Sequence, residues 1–126
     1  MKKIIHTPAA PAAIGPYNQA ILSNGTLYMS GQIALDPQSG ELVDGSIEEE
    51  THQVLKNMGA VLAEAGMTYE NVVKCTIFMR TMDDYAAVNG VYSEYFSERS
   101  PAREAVAVAG LPKDVKVEIS AIAVTL

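Results

Sequence analysis

Hydrophobic and polar residues alternate in the first third of the chain in a way that predicts three short β-strands. The first covers residues 2–6, and two more, at 20–24 and 26–31, lie on either side of the Asn24-Gly25 pair. Asn-Gly between two apolar runs favours a tight β-hairpin, because both residues accept the positive φ angles of a type I′ turn. The proline-rich segment between the first two strands predicts a loop.

From Ser46 the hydrophobic period changes to that of an α-helix. Mostly apolar residues recur every three or four positions, with charged residues between them. This stripe comprises Ile47, Thr51, Val54, Leu55, Met58, Val61, Leu62 and Ala65. Ser46 and Glu49 have the spacing of a capping box, in which each side chain bonds the backbone N–H of the other, and Gly66 is placed to end the helix.

The second half of the chain predicts one more helix and three more strands. A strand at 71–81 precedes a helix at 82–96, and strands at 102–110 and 115–125 follow it. The turn-forming residues 111–114 between the last two strands predict that these strands form a hairpin. The inward side of the second helix is predicted to carry Tyr85, Val88, Tyr92 and Tyr95 or Phe96.

The order βββαβαββ predicts one α+β domain over residues 1–126, with two layers. We expect a mixed sheet of about six strands with both helices on one face. The last strand is apolar on both sides, since Ile122 and Val124 alternate with Ile119, Ala121 and Ala123. Because only two helices are available, the other face of the sheet has no cover within the chain. This predicts an oligomer in which sheets pack against sheets.

Composition narrows the classes of function. The formal net charge is −6 and the pI is about 4.8, which disfavours binding to nucleic-acid phosphates. The single cysteine, Cys75, rules out a disulfide framework and favours a cytoplasmic setting. His6 and His52 lie far apart, so a zinc site is not expected. No apolar segment is long enough to predict a membrane span or a signal peptide.

Two charged residues stand in the apolar closing segment. Arg103 begins a run of small residues, and its planar guanidinium suits a carboxylate. Glu118 lies within a strand and could orient water or act as a base. The alternative is a purely structural role in ion pairs. Arg103 would pair with Glu104, Glu118 or a neighbouring subunit, and Glu118 would pair with Lys116 or Arg103. A solvated strand residue is a further alternative for Glu118.

Other polar residues are weaker candidates. Asn89 lies in the inward stripe of the second helix, where its amide either caps a loop or holds a ligand. Tyr17 lies in the proline-stiffened loop, either as a binding residue or as an aromatic plug over the core. Gly31, in the sequence Ser30-Gly31-Gln32, permits close backbone approach. His52 is expected at the surface, and Cys75 is expected to be a buried, inert thiol.

Six segments resemble, in order and spacing, the Rid family of reactive intermediate deaminases, formerly called the YjgF family. They are APAAIGPYNQA, MSGQI, THQVLKNMGAVLAEAG, VVKCTIFM, YAAVNGVYSEYF and PAREAVAVAGLPKDVKVEISAIAV. The closing P-A-R…L-P…V-E-I pattern is the most specific. AAIGPY and SGQ are similar to the archetypal 2-iminobutanoate/2-iminopropanoate deaminase branch. The resemblance implies a chorismate-mutase-like fold and a homotrimer with sites between subunits.

The resemblance also implies a reaction. Family members hydrolyse 2-aminoacrylate and related enamines or imines, which pyridoxal-phosphate-dependent dehydratases release, to 2-oxo acids and ammonia, without a metal or cofactor. Carried over to this chain, Arg103 would clamp the substrate carboxylate, Glu118 would position the water, and Tyr17 would complete the catalytic group. The implied substrate-binding residues are Ser30, Gly31, Asn89 and Ala105.

The chain departs from common family members at three positions. Ala105 replaces a frequent cysteine but keeps the backbone carbonyl that the resemblance implies as the contribution of this position. Ser120 replaces a frequent glutamate, and Glu104 replaces a frequent serine. We expect Glu104 to point away from Arg103, to the opposite face of the sheet. The alternative function is a non-catalytic trimer that binds 2-oxo acids and acts as a regulator or chaperone.

Overall fold

The computed structural model describes residues 1–126 and contains one six-stranded sheet with two α-helices. The strands are β1 (Lys2–Ile5), β2 (Ala20–Ser23), β3 (Thr26–Gln32), β4 (Val72–Met79), β5 (Ala102–Ala107) and β6 (Val117–Val124). The helices are α1 (Ile47–Glu64) and α2 (Tyr85–Tyr95). The predicted α+β class, the mixed sheet and the order βββαβαββ are confirmed.

The turn, the capping box and the helix end that were predicted from local sequence are present in the structure. Asn24 and Gly25 have φ angles of 51° and 76° and join β2 to β3. The Ser46 side chain accepts a hydrogen bond from the Glu49 backbone N–H, and the reciprocal bond completes the capping box. Gly66 follows α1 with a φ of 74°. No helix in the structure combines the length and apolarity that a membrane crossing requires.

The strand order β1-β2-β3-β6-β4-β5 corrects one prediction. The last two strands were expected to form a hairpin, but β4 lies between them. β5 pairs with β4 in parallel, and β6 pairs with β4 and β3 in antiparallel fashion. The connection at residues 108–116 therefore crosses one end of β4, and β5 becomes an edge strand.

The core lies between the two helices and one face of the sheet. Alternate residues of β6 are buried there, beginning with Val117, and they pack with Cys75 and Ile77 of β4 and with the stripe of α1. The buried residues of the α1 stripe include Val54, Leu55, Met58, Val61 and Leu62. Both helices thus cover the same face, as predicted.

The other face of the sheet, here called the open face, has no covering element. It carries Tyr28 of β3, Val106 of β5 and the alternate residues Glu118, Ser120, Ile122 and Val124 of β6. Tyr28 is 52% exposed and Val106 is 41% exposed. A face with this much accessible apolar surface is unusual for an isolated domain.

Candidate active site

A cavity of about 540 Å³ lies at the end of β3, between the proline-rich loop and the start of β6. Four of the site residues predicted from the sequence line it: Tyr17, Ser30, Gly31 and Glu118. The other lining residues are Pro11, Ala12, Ala13, Ile14, Gln19, Gln32, Ile33, Leu35, Pro112 and Lys113. The wall is mostly apolar with a few polar groups, which is typical of a small-molecule site.

Glu118 lies on the open face of β6 and its carboxylate covers the Cα atom of Gly31. A Cβ atom on Gly31 would lie 2.5 Å from Glu118 Oε2 and 2.7 Å from its Cδ. Burial in this position raises the pKa of the Glu118 carboxyl, because desolvation disfavours the charged form. A carboxyl with a raised pKa is better suited to exchange a proton with water or substrate near neutral pH.

Tyr17 and Ser30 are both part of the cavity wall. Tyr17 is 52% exposed, so the interpretation that it plugs the core is wrong. Its backbone N–H donates to the carbonyl of Gly15, 2.9 Å away, which turns the loop at this residue. The Ser30 hydroxyl donates to the carbonyl of Asn18 at 2.6 Å, so its oxygen remains available to accept a hydrogen bond.

Arg103 forms the centre of a second cluster, under α2. Its Nη1 donates to Asn89 Oδ1 at 2.7 Å, and its Nη2 donates to the Tyr85 hydroxyl at 2.9 Å. The guanidinium carbon also lies 4.9 Å from the centre of the Tyr92 ring. These contacts fix the plane of the guanidinium. They leave the Nε–H and one N–H on each terminal nitrogen free to bind a carboxylate.

Sequence periodicity placed Tyr85 and Asn89 on the inward side of α2, and this was wrong. Both are exposed, because this part of α2 extends over the edge strand β5 and their polar ends reach Arg103. Val88, Tyr92 and Phe96 are buried as predicted.

Cys75 and Ala105 lie close to the Arg103 cluster. Cys75 is buried, as predicted, and burial raises the pKa of its thiol because desolvation disfavours the thiolate. Ala105 follows Arg103 by two residues on the same face of β5 and packs against the core. It does not line the cavity.

Within the chain, Arg103 and Glu118 do not meet. Arg103 pairs in register with the buried Cys75 and therefore lies on the helix-covered face, whereas Glu118 lies on the open face. The proposed intrachain ion pair between them is wrong. Lys116 pairs instead with Glu50 at 2.9 Å, and Glu104 pairs with Lys74 at 3.3 Å.

The Glu104 contact settles the direction of that side chain. Its register partner is Thr76, whose hydroxyl donates to it at 3.3 Å, on the face opposite Arg103. The expectation that Glu104 points away from Arg103 is confirmed. The predicted site residues therefore fall into two groups: a cavity group with Glu118, and an arginine cluster with Asn89 and Ala105.

Buried polar residues that were not predicted from the sequence hold the cavity loops. The Gln19 amide donates to the carbonyls of Thr7, Ala10 and Pro11. Asn57 of α1 donates to the carbonyls of Ile33 and Leu35, which line the cavity. A signal existed for Asn57, because it lies within the buried stripe of α1, three residues after Val54.

Comparison with known proteins identifies the family of the chain. The family model described as endoribonuclease L-PSP matches residues 7–125. YyfA of Yersinia pestis, described as a conserved Rid-family protein of unknown function, has a solved structure with a TM-score of 0.97 and 49% identity, covering 99% of this chain and 100% of that one. The chain belongs to the Rid family. The resemblance predicted from the sequence motifs is confirmed.

Other Rid-family relatives are similar over nearly their full length. The RutC family protein slr0709 of Synechocystis is 57% identical over 97% of this chain and 95% of the relative. A protein of Bos taurus named 2-iminobutanoate/2-iminopropanoate deaminase is 52% identical over 98% of this chain and 90% of the relative. Rid-family relatives of this degree of similarity thus include proteins named as 2-iminobutanoate/2-iminopropanoate deaminases.

Proposed function

We propose that the protein hydrolyses 2-aminoacrylate, its imine tautomer 2-iminopropanoate, and 2-iminobutanoate to 2-oxo acids and ammonia. The observation that carries this proposal is the pair of complementary groups. Arg103 presents free N–H groups suited to a carboxylate, and Glu118 is a carboxyl of raised pKa in a cavity of about 540 Å³. Five mammalian relatives named as this deaminase, at 48–52% identity, support an enzyme rather than a regulatory or chaperone-like trimer.

The two groups would be brought together by a homotrimer. Arg103 and Glu118 lie on different faces of one sheet. A single chain therefore carries both halves of the active site but does not bring them together. In the proposed assembly the open faces pack together, and the arginine cluster of one subunit lies beside the cavity of the next. The exposed Tyr28 and Val106 would then be buried, which removes apolar surface from water.

The reaction needs few groups. Arg103 holds the substrate carboxylate, while Asn89 and the Ala105 carbonyl lie beside it and Ser30 and Gly31 border the bound acid. Water adds to the imine carbon and gives a carbinolamine. The C–N bond then breaks, and nitrogen leaves as ammonia while the carbon becomes a ketone. Tyr17 closes the cavity over the substrate. Most of the acceleration would come from proximity and orientation.

Glu118 would act on the water. Its carboxylate can accept the proton as water adds and return it to the leaving nitrogen, and its raised pKa favours both steps.

The proposal requires no metal, cofactor or covalent intermediate. The substrates arise from pyridoxal-phosphate-dependent dehydratases. We place the reaction in the cytoplasm, the compartment that a single unpaired cysteine favours. The formal charge of −6 weighs against RNA as the substrate, despite the description of the family model.

A coupled assay tests this function. A dehydratase generates 2-aminoacrylate from serine, and pyruvate formation is followed with and without the protein. Wild-type protein should accelerate pyruvate release beyond spontaneous hydrolysis. Glu118→Gln should lower kcat roughly 10²–10⁴-fold if the carboxylate is a general base. No acceleration by folded wild-type protein would reject the proposal.

Arg103 provides the matched comparison. Arg103→Lys keeps the positive charge but loses the planar fork, so it should fail nearly as badly as Arg103→Ala, in both KM and kcat. Wild-type turnover by Arg103→Lys would show that a point charge suffices and that the carboxylate clamp is wrong.

A further inference from the structure

An ion pair between a buried carboxylate and a partly buried lysine joins α1 to the segment that precedes Glu118. Glu50, in the first turn of α1, is 4% exposed, and its Oε2 lies 2.9 Å from Lys116 Nζ. The same Nζ donates to the carbonyl of Gly45 at 2.7 Å. The backbone N–H of Lys116 donates to the other carboxylate oxygen of Glu50 at 3.4 Å. One carboxylate therefore contacts both the side chain and the backbone of Lys116.

Lys116 lies where the cavity loop joins β6. The residues before it include Pro112 and Lys113, which line the cavity, and Glu118 follows two residues later. The Lys116 carbonyl also accepts a hydrogen bond from the backbone N–H of Arg80, 3.1 Å away. Any shift of Lys116 must therefore move the cavity wall, the start of β6, or both.

The loop itself is poorly suited to hold its own shape. Lys113 and Asp114 have φ angles of 54° and 58°, a left-handed conformation that is unfavourable for lysine and better tolerated by aspartate. Its internal backbone hydrogen bonds are Asp114 N–H to Leu111 and Val115 N–H to Pro112, at 3.1 and 3.2 Å. A strained conformation persists only where its surroundings determine it, and here the Lys116 contacts supply that constraint.

We propose that Glu50 and Lys116 are positioning residues for the active site: their ion pair holds the 112–116 loop and fixes Glu118 against Gly31. This inference rests on the proposed imine hydrolysis. Neither residue lines the cavity. Their effect passes through the backbone to a carboxylate whose placement decides where water is held.

Kinetic constants separate positioning from general stability. Glu50→Gln and Lys116→Met should each lower kcat roughly 10- to 100-fold, because small misplacements of a catalytic group carry penalties of this size. KM should change little, since the substrate carboxylate is held by Arg103 in the other half of the site. Lys116→Arg keeps the cation and its donors and should restore most of kcat relative to Lys116→Met.

Thr51→Val is the matched control. Thr51 is also buried in the first turns of α1, but its hydroxyl donates to the carbonyl of Ile47 in the same helix at 2.7 Å and makes no hydrogen bond to a cavity loop. The Thr51→Val substitution should lower the melting temperature without lowering kcat per folded molecule. If Glu50→Gln fails to fold, Glu50→Leu combined with Lys116→Met removes both charges, which restores stability more often than removal of one.

The outcomes separate the two proposals. If wild-type protein shows no imine hydrolysis, the function itself fails. If wild-type protein is active and the folded Glu50 and Lys116 variants keep wild-type kcat, the positioning role is overturned while the function stands. Reduced kcat in the double variant, with a melting temperature close to that of wild type, supports positioning and excludes an effect of stability alone.

Discussion

At the scale of single residues, the contact between Gly31 and Glu118 is the most restrictive feature of the cavity. The carboxylate occupies the place where any other residue would carry its Cβ atom. Gly31 is therefore required by space and not by backbone conformation, since its φ angle lies outside the left-handed region. The position of the carboxylate depends on a neighbour that makes no hydrogen bond to it.

Gly31→Ala should displace the Glu118 carboxylate. Because the new methyl group would lie 2.5 Å from Oε2, the side chain must turn away, and kcat should fall at least tenfold, roughly 1.4 kcal/mol in the barrier. Gly110→Ala is the control, as nothing lies within 4 Å of its Cβ position. Steady-state kinetics on both folded variants decide the matter. Equal activities would show that Glu118 adapts freely.

The raised pKa of Glu118 predicts a pH-dependent effect on stability. A carboxyl whose folded pKa exceeds its unfolded pKa binds its proton more tightly in the folded state, so its contribution is favourable at low pH and is lost as pH rises through the folded pKa. The melting temperature of Glu118→Gln minus that of wild type should therefore become more positive as the pH is raised from acidic to neutral. Calorimetry at several pH values tests this. A loss at neutral pH would mean that the carboxylate has a favourable charged partner.

At the scale of secondary-structure elements, local signals predicted most of the fold and failed at one pairing. Capping at Ser46, the turn at Asn24-Gly25 and the stripe of α1 depend on neighbouring residues, and each was predicted correctly. The hairpin of β5 and β6 was wrong, because the insertion of β4 between them is a long-range pairing that no local spacing records. The residue types of the candidate site were visible in the sequence, but the face on which each residue lies was not.

Helix α2 contains a glycine with no local requirement for it. Nothing lies within 4 Å of a Cβ atom built on Gly90, and the residue has no positive φ angle. Gly90→Ala should therefore stabilise the folded chain by about 1 kcal/mol through helix propensity. Thermal unfolding measures the change. A loss of stability would indicate that another subunit or a ligand approaches the helix closely at Gly90.

At the scale of the whole molecule, the open face predicts an oligomer, and the resemblance to the Rid family implies that it is a homotrimer. Val106→Lys places a charge on this face and should convert the assembly to smaller species with little loss of secondary structure, because the residue is exposed in the single chain. Ala63→Lys adds the same charge on the outer side of α1 and should leave assembly unchanged. Sedimentation equilibrium gives the masses. A wild-type monomer at micromolar concentration would contradict the prediction.

The division of the site into two halves has a genetic consequence. If each centre takes Arg103 from one subunit and Glu118 from the next, an allele lacking the arginine and an allele lacking the glutamate should complement each other. Random co-assembly of equal amounts would rebuild roughly a quarter of the centres, as expected for head-to-tail pairing in a ring. Co-expression of Arg103→Ala with Glu118→Gln should thus recover activity that neither allele has alone. Co-expression of two alleles that both lack the arginine, or both lack the glutamate, should recover no activity.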